Sequence, residues 1–147
     1  MSESSNELRQ ASQQLQAIQF QIEELTRERE TLRSTLNELR GAVEALEQLE
    51  DGSTVQVPLG GSAYLRAEIQ DIDEVIVSIG GGFSAERPRD GAISTLQERQ
   101  AIVQERIETI TESIAELESQ GTEIEQQLQQ VAQQQRLAGE GTGPDEP

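Results

Sequence analysis

The sequence contains no cysteine, histidine, lysine or tryptophan. Without Cys and His there is neither a disulfide framework nor a Cys/His metal site. The commonest general base and the thiol nucleophile are missing with them. Without Lys there is no P-loop, although Gly60-Gly61 and Gly80-Gly81-Gly82 invite a phosphate-binding reading. Each glycine cluster lies between two strand-like runs, whereas a dinucleotide fingerprint leads from a strand into a helix. Carboxylate chemistry has no cleft-forming segment to work in. No catalytic, cofactor-binding or metal residue is assigned, and a non-enzyme is expected.

Aromatic side chains are also scarce, at one Tyr and two Phe. A compact globule uses more of them to fill its core, so an elongated molecule is expected. The eleven basic residues are all Arg and face 28 acidic ones, for a net charge of −17. Nucleic acid and anionic membrane surfaces are unfavourable partners for such a chain. Strong acidity without Lys reads as adaptation to salt, because at 1 M the Debye length is about 3 Å and self-repulsion is screened. Stability that rises with KCl is the expectation. No apolar run approaches the ~20 residues that span a bilayer. MSESSNEL has neither a charged n-region nor an apolar h-region, so a cytoplasmic protein without a signal peptide is expected.

What the chain does have is heptads. From 4 to 50, one seam position holds Leu8, Leu15, Ile22, Arg29, Leu36 and Val43. The other holds Ala11, Ile18, Leu25, Leu32, Leu39 and Leu46. This predicts a coiled-coil helix about 65 Å long, with Ser4 as N-cap and Glu7 completing a capping box. Arg29 is the one charge in that seam, a residue type that fixes register at some cost in stability. From 90 to 138 the pattern resumes after the N-cap candidate Asp90. Ile93, Gln100, Ile107, Ile114, Gly121, Leu128 and Gln135 alternate with Leu96, Val103, Ile110, Leu117, Ile124, Val131 and Ala138. Residues 139–147, GEGTGPDEP, read as a disordered tail.

Between the helices, 51–89 reads as four short strands in two tandem β-hairpins. The fold class is α+β, a long antiparallel coiled-coil hairpin with the β segment inserted between its helices. Two hairpins alone are marginal in water, and the helix residues are committed to their own seam. Pairing of strands with other chains is therefore expected, closing an intersubunit β-barrel through Val55, Val57, Leu65, Ile69, Val75, Val77, Ile79 and Phe83.

Matching Leu46 to Leu96 sets a register with Gly121 near Ile22 and Arg29 near Ile114. The far end is rich in Gln and small seam residues, so it should fray. Fraying exposes Leu8, Leu15, Ile18, Leu128 and Val131, with Phe20 and Leu137 nearby. These residues serve either as plain seam or as an adaptable apolar grip for partner proteins.

The order of elements, with VPLGGSAYLRAEI followed by VIVSIGGGFSAERP, resembles the archaeal prefoldin alpha subunits. Two tandem hairpins look like the alpha type, since beta subunits have one. The resemblance implies a hexamer of two alpha and four beta subunits, with coiled coils hanging from a double barrel. It implies ATP-independent capture of unfolded proteins at the coil tips and delivery to a group II chaperonin. A structural scaffold that ignores unfolded clients is the second reading.

Overall fold

The computed structural model describes residues 2–141. Helix α1 (Ser2–Gln48) leads into strands β1 (Thr54–Gly60), β2 (Ala63–Glu68), β3 (Val75–Gly80) and β4 (Phe83–Arg87). Helix α2 (Arg89–Gly141) follows. Ser4 lies inside α1 and not at its cap, since neither Gly nor Pro stops the helix ahead of it and Glu3 favours the first turn. Asp90 likewise falls in the first turn of α2. The carbonyl that accepts the opening bond, from the Ala92 amide at 2.9 Å, belongs to Pro88. Helix α2 continues past Ala138 to Gly141, and the rest of the expected tail, 142–147, lies outside the described residues.

The chain divides into two compact units. One is Leu32–Arg106, and the other combines Met1–Thr31 with Ile107–Pro147.

In the first unit, β1 pairs antiparallel with β2 and β3 with β4, as two separate two-stranded sheets. The hairpins share one design. The register slips at Leu59, between Pro58 and Gly60, and again at Ile79, between Ser78 and Gly80. Each then turns on two residues of positive φ, Gly61 and Ser62 in one and Gly81 and Gly82 in the other. Such two-residue turns match the right-handed twist of the flanking strands. Val55 lies opposite Ala67 and Val57 opposite Leu65, giving the first hairpin an apolar face. Gln56–Arg66 and Thr54–Glu68 make the other face.

The segment between the two hairpins is tied to both helix ends by acidic side chains. Asp51 Oδ1 accepts the Ile72 amide at 2.8 Å, and Asp71 Oδ1 accepts the Asp73 amide at 2.9 Å. The latter is an Asx turn. Asp73 Oδ1 in turn accepts the Arg89 amide at 3.3 Å, supplying the first turn of α2 with an acceptor.

The core of this unit corrects one expectation. Val77 is 6 % exposed and packs with Val43, Ala92 and Leu96, flanked by Leu39, Ala42, Leu46, Val75 and Ile93. The helices therefore do cover one face of the second hairpin. Ala92 is fully buried and carries only a methyl group, which leaves room for the strand side chain. Burying a valine here contributes roughly 1.5–3 kcal/mol.

In the second unit the seam is deepest at Ile107, Ile110 and Ile114. Here the register differs from the expected one. A Cβ on Gly121 would sit 3.6 Å from Leu15 Cδ1 and 3.7 Å from Ile18 Cγ2, with no Ile22 atom as close. Arg29 Nη1 reaches Thr111 Oγ1 at 3.4 Å. In an antiparallel pair, a seam position of one kind faces the other kind on its partner, and matching like with like shifted the register by half a heptad. Arg29 Nε is buried without a hydrogen-bond partner, so the seam charge is only partly satisfied.

Candidate functional site

Two surfaces carry the chemistry available to this chain. The first lies in the unit containing both helix ends. Leu8, Ala11, Leu128 and Val131 are half-buried and line a groove of about 360 Å³ between α1 and α2. Leu15 and Ile18 line a neighbouring groove around Gly121. Past Ile114, no large apolar side chain of the described part of α2 is buried. Phe20 and Leu137 lie off the seam, 58 % and 65 % exposed, and line neither groove. Of the tip residues expected from sequence, the structure thus brings Leu8, Leu128 and Val131 together and sets Leu15 and Ile18 beside Gly121.

The second surface is the pair of hairpins. Val57, Leu65, Ile79 and Phe83 are exposed, while Val55, Ile69 and Val75 are half-buried. Val77 is spent inside the chain's own core and is withdrawn from the exposed set. Three exposed groups join it that the strand reading passed over: Leu59, Tyr64 and Ile76. Strand parity could have found Ile76, which alternates with Val75 and Val77, and it is 74 % exposed. Leu59 sits at the register slip, which periodicity does not reveal. Ile102, on α2 in the same unit, is also exposed, and its place off the heptad explains why it found no partner.

Among the described residues no group of acidic side chains could hold a metal ion, and no helix is long and apolar enough to cross a membrane. The groove sets Leu8, Ala11, Leu128 and Val131 among glutamines, and the hairpins expose Val57, Leu65, Ile79 and Phe83.

Comparison with known proteins now bears on these surfaces. The family model described as prefoldin subunit matches residues 18–134. The chain belongs to the prefoldin family. A prefoldin subunit alpha of Haloarcula marismortui is 68 % identical over 59 residues, which is 40 % of this chain and 38 % of that protein. The chain therefore matches well under half the length of that halophilic relative. A prefoldin subunit alpha of Methanosarcina mazei is 34 % identical over 110 residues, covering 68 % of this chain and 75 % of the relative. Among solved structures, a filamentous prefoldin from Methanocaldococcus jannaschii, determined by cryo-EM, has a chain 28 % identical to this one. The TM-score is 0.67, and the match covers 76 % of this chain and 95 % of that one. Two long helices flanking two antiparallel hairpins are thus the prefoldin arrangement, and halophilic archaea are among the sources of the relatives it matches.

Proposed function

We propose that the chain is the alpha subunit of a prefoldin-type holding chaperone of the cytoplasm. It holds unfolded proteins at the coil end, without ATP, and passes them to a group II chaperonin. The observation that carries this reading is the groove at Leu8, Ala11, Leu128 and Val131, where the seam stays half-open and leaves apolar surface available. One such patch is weak. Several tips around a common cavity bind one client together by effective concentration. No nucleotide step is needed if the chaperonin displaces the client by competition.

The partners in this reading are prefoldin beta subunits, in a hexamer of two alpha and four beta chains. Strand pairing would join them into a barrel and bury Val57, Leu65, Ile79 and Phe83, with Val55, Ile69 and Val75 at its inner edge. The exposure of those side chains in the single chain supports it, since contiguous apolar patches mark association sites.

The test is co-expression with a beta subunit at high salt, followed by mass determination and an aggregation assay with a denatured client. Suppression of aggregation is expected, and it should vanish when residues before about Phe20 and after about Gln127 are trimmed. Unchanged activity of the trimmed hexamer would refute the tip assignment. An intact assembly that ignores unfolded clients would leave a structural scaffold.

A further inference from the structure

The two hairpins share one sequence plan. Val55-Gln56-Val57-Pro58-Leu59-Gly60-Gly61 recurs as Val75-Ile76-Val77-Ser78-Ile79-Gly80-Gly81, and the register slips fall at the equivalent residues Leu59 and Ile79. Their surroundings differ. Val77 packs on Val43, Ala92 and Leu96 and is 6 % exposed, whereas its equivalent Val57 is 41 % exposed. No residue of β1 or β2 is buried, and only Val55 and Ala67 are half-buried. The base of the first hairpin is closed within its own arms. Gly52 donates its amide to the Ile69 carbonyl at 2.8 Å, and Ile69 donates to that of Ser53 at 2.9 Å. The turns differ as well. Ser62 stands at φ 64° where the second hairpin has Gly82, and a side chain in the left-handed region is strained where glycine is not.

We propose that the first hairpin is a conditional element, which opens and closes in the unassembled chain while the second stays shut, and which the strands of another subunit hold closed. This rests on the assembly read above for the hairpins and adds a regulation to it. A two-stranded hairpin without cover is marginal in water. Burying one valine, the difference between Val77 and Val57, shifts an opening equilibrium by about ten- to a hundredfold. Uncovered ladders open locally well before a chain unfolds as a whole. The helices and the second hairpin therefore persist while the first hairpin opens, because Val77 and not Val57 is joined to their core. Ordering the first hairpin on contact then becomes part of the cost of association. An open strand is also a preferred site for proteases, so an unassembled subunit is marked for removal by the segment that assembly hides.

The experiment is hydrogen exchange read by mass spectrometry, on the full chain alone, diluted to the monomer, and on its complex with beta subunits at the same KCl concentration. In the lone chain, protection factors over β1 and β2 should lie at least about tenfold below those over β3 and β4, and trypsin should cut after Arg66, since cleavage follows the open population. In the complex, the first hairpin should gain protection by at least about tenfold and Arg66 should be spared. Val57→Ala should leave the urea midpoint of the lone chain in place, whereas Val77→Ala lowers it. Equal protection of the two hairpins in the lone chain overturns the proposal and leaves the assembly reading intact. So does a Val57→Ala midpoint lowered as far as that of Val77→Ala, or a complex in which the first hairpin stays open. A mixture with beta subunits that forms no complex overturns the assembly reading itself.

Discussion

The Arg89 guanidinium donates a hydrogen bond to the main-chain carbonyl oxygen of Leu49. The first residue of α2 thus closes the exit of α1, where carbonyls lack helical partners and a cation is favoured. Asp73 holds the Arg89 amide at the same time. Arg89→Met keeps the aliphatic stem and removes the donor. It should cost about 2 kcal/mol, the worth of a charge-assisted bond, read as a lower urea midpoint at constant KCl. An unchanged midpoint would show that the bond contributes nothing in solution.

Arg29→Leu should act in the opposite direction. The arginine has a buried Nε without a partner and one long bond to Thr111. Replacing it by a seam-type apolar residue removes a desolvation cost of about 1–3 kcal/mol. The variant is expected to unfold at higher denaturant than the wild type. A loss of stability would mean that the guanidinium is better satisfied than its geometry indicates.

The two interior helix glycines separate propensity from packing. Gly41 has nothing within 4 Å of an added Cβ, and Gly121 has Leu15 and Ile18 at ordinary contact distance. Gly41→Ala should stabilise by about 1 kcal/mol through backbone entropy alone. Gly121→Ala should gain that amount and up to about 0.8 kcal/mol more for the buried methyl. Thermal melts of the two variants under one set of conditions provide the comparison, and equal gains would remove Gly121 from the packed seam.

On the second hairpin, neighbouring residues should behave differently. Val77→Ala opens space in the core shared with Val43 and Leu96 and should cost about 1–3 kcal/mol in the chain by itself. Ile76→Ser alters an exposed position and should leave that stability within about 0.5 kcal/mol. If the proposed assembly forms through this face, it should instead weaken association with beta subunits, measured by analytical ultracentrifugation. Equal effects of the two variants on the lone chain would contradict the assignment of faces.

The helices and hairpins were legible in the sequence because their periods are written in it: Leu8 to Val43 every seventh residue, Val55 and Val57 every second. The helix register was not legible. Heptads state which residues face the partner but not which partner residue they meet, and pairing like positions placed Gly121 by Ile22 where Leu15 and Ile18 stand. The cap of α2 was missed for a related reason. Asp73 is sixteen residues from Arg89, beyond any local capping pattern. Val77 looked like an assembly residue because both parities of its strand are apolar, and the two faces differ only once the helix ends are in place. At the groove, the four apolar residues follow from the heptad, whereas the glutamines that line it beside them count in the sequence only as a reason for the end to fray.

Val77 also bears on the order in which the chain folds. It lies 34 residues from Val43, fifteen from Ala92 and nineteen from Leu96, all partners in one cluster. Leu15 and Gly121 are 106 residues apart. Closing the longer loop directly costs about 1 kcal/mol more in chain entropy than closing the one from Val43 to Val77. Chain entropy alone therefore favours closing the hairpin core over pairing Leu15 with Gly121 directly. The groove that would receive unfolded proteins thus lies where the chain gives up the most entropy to bring its two helices together.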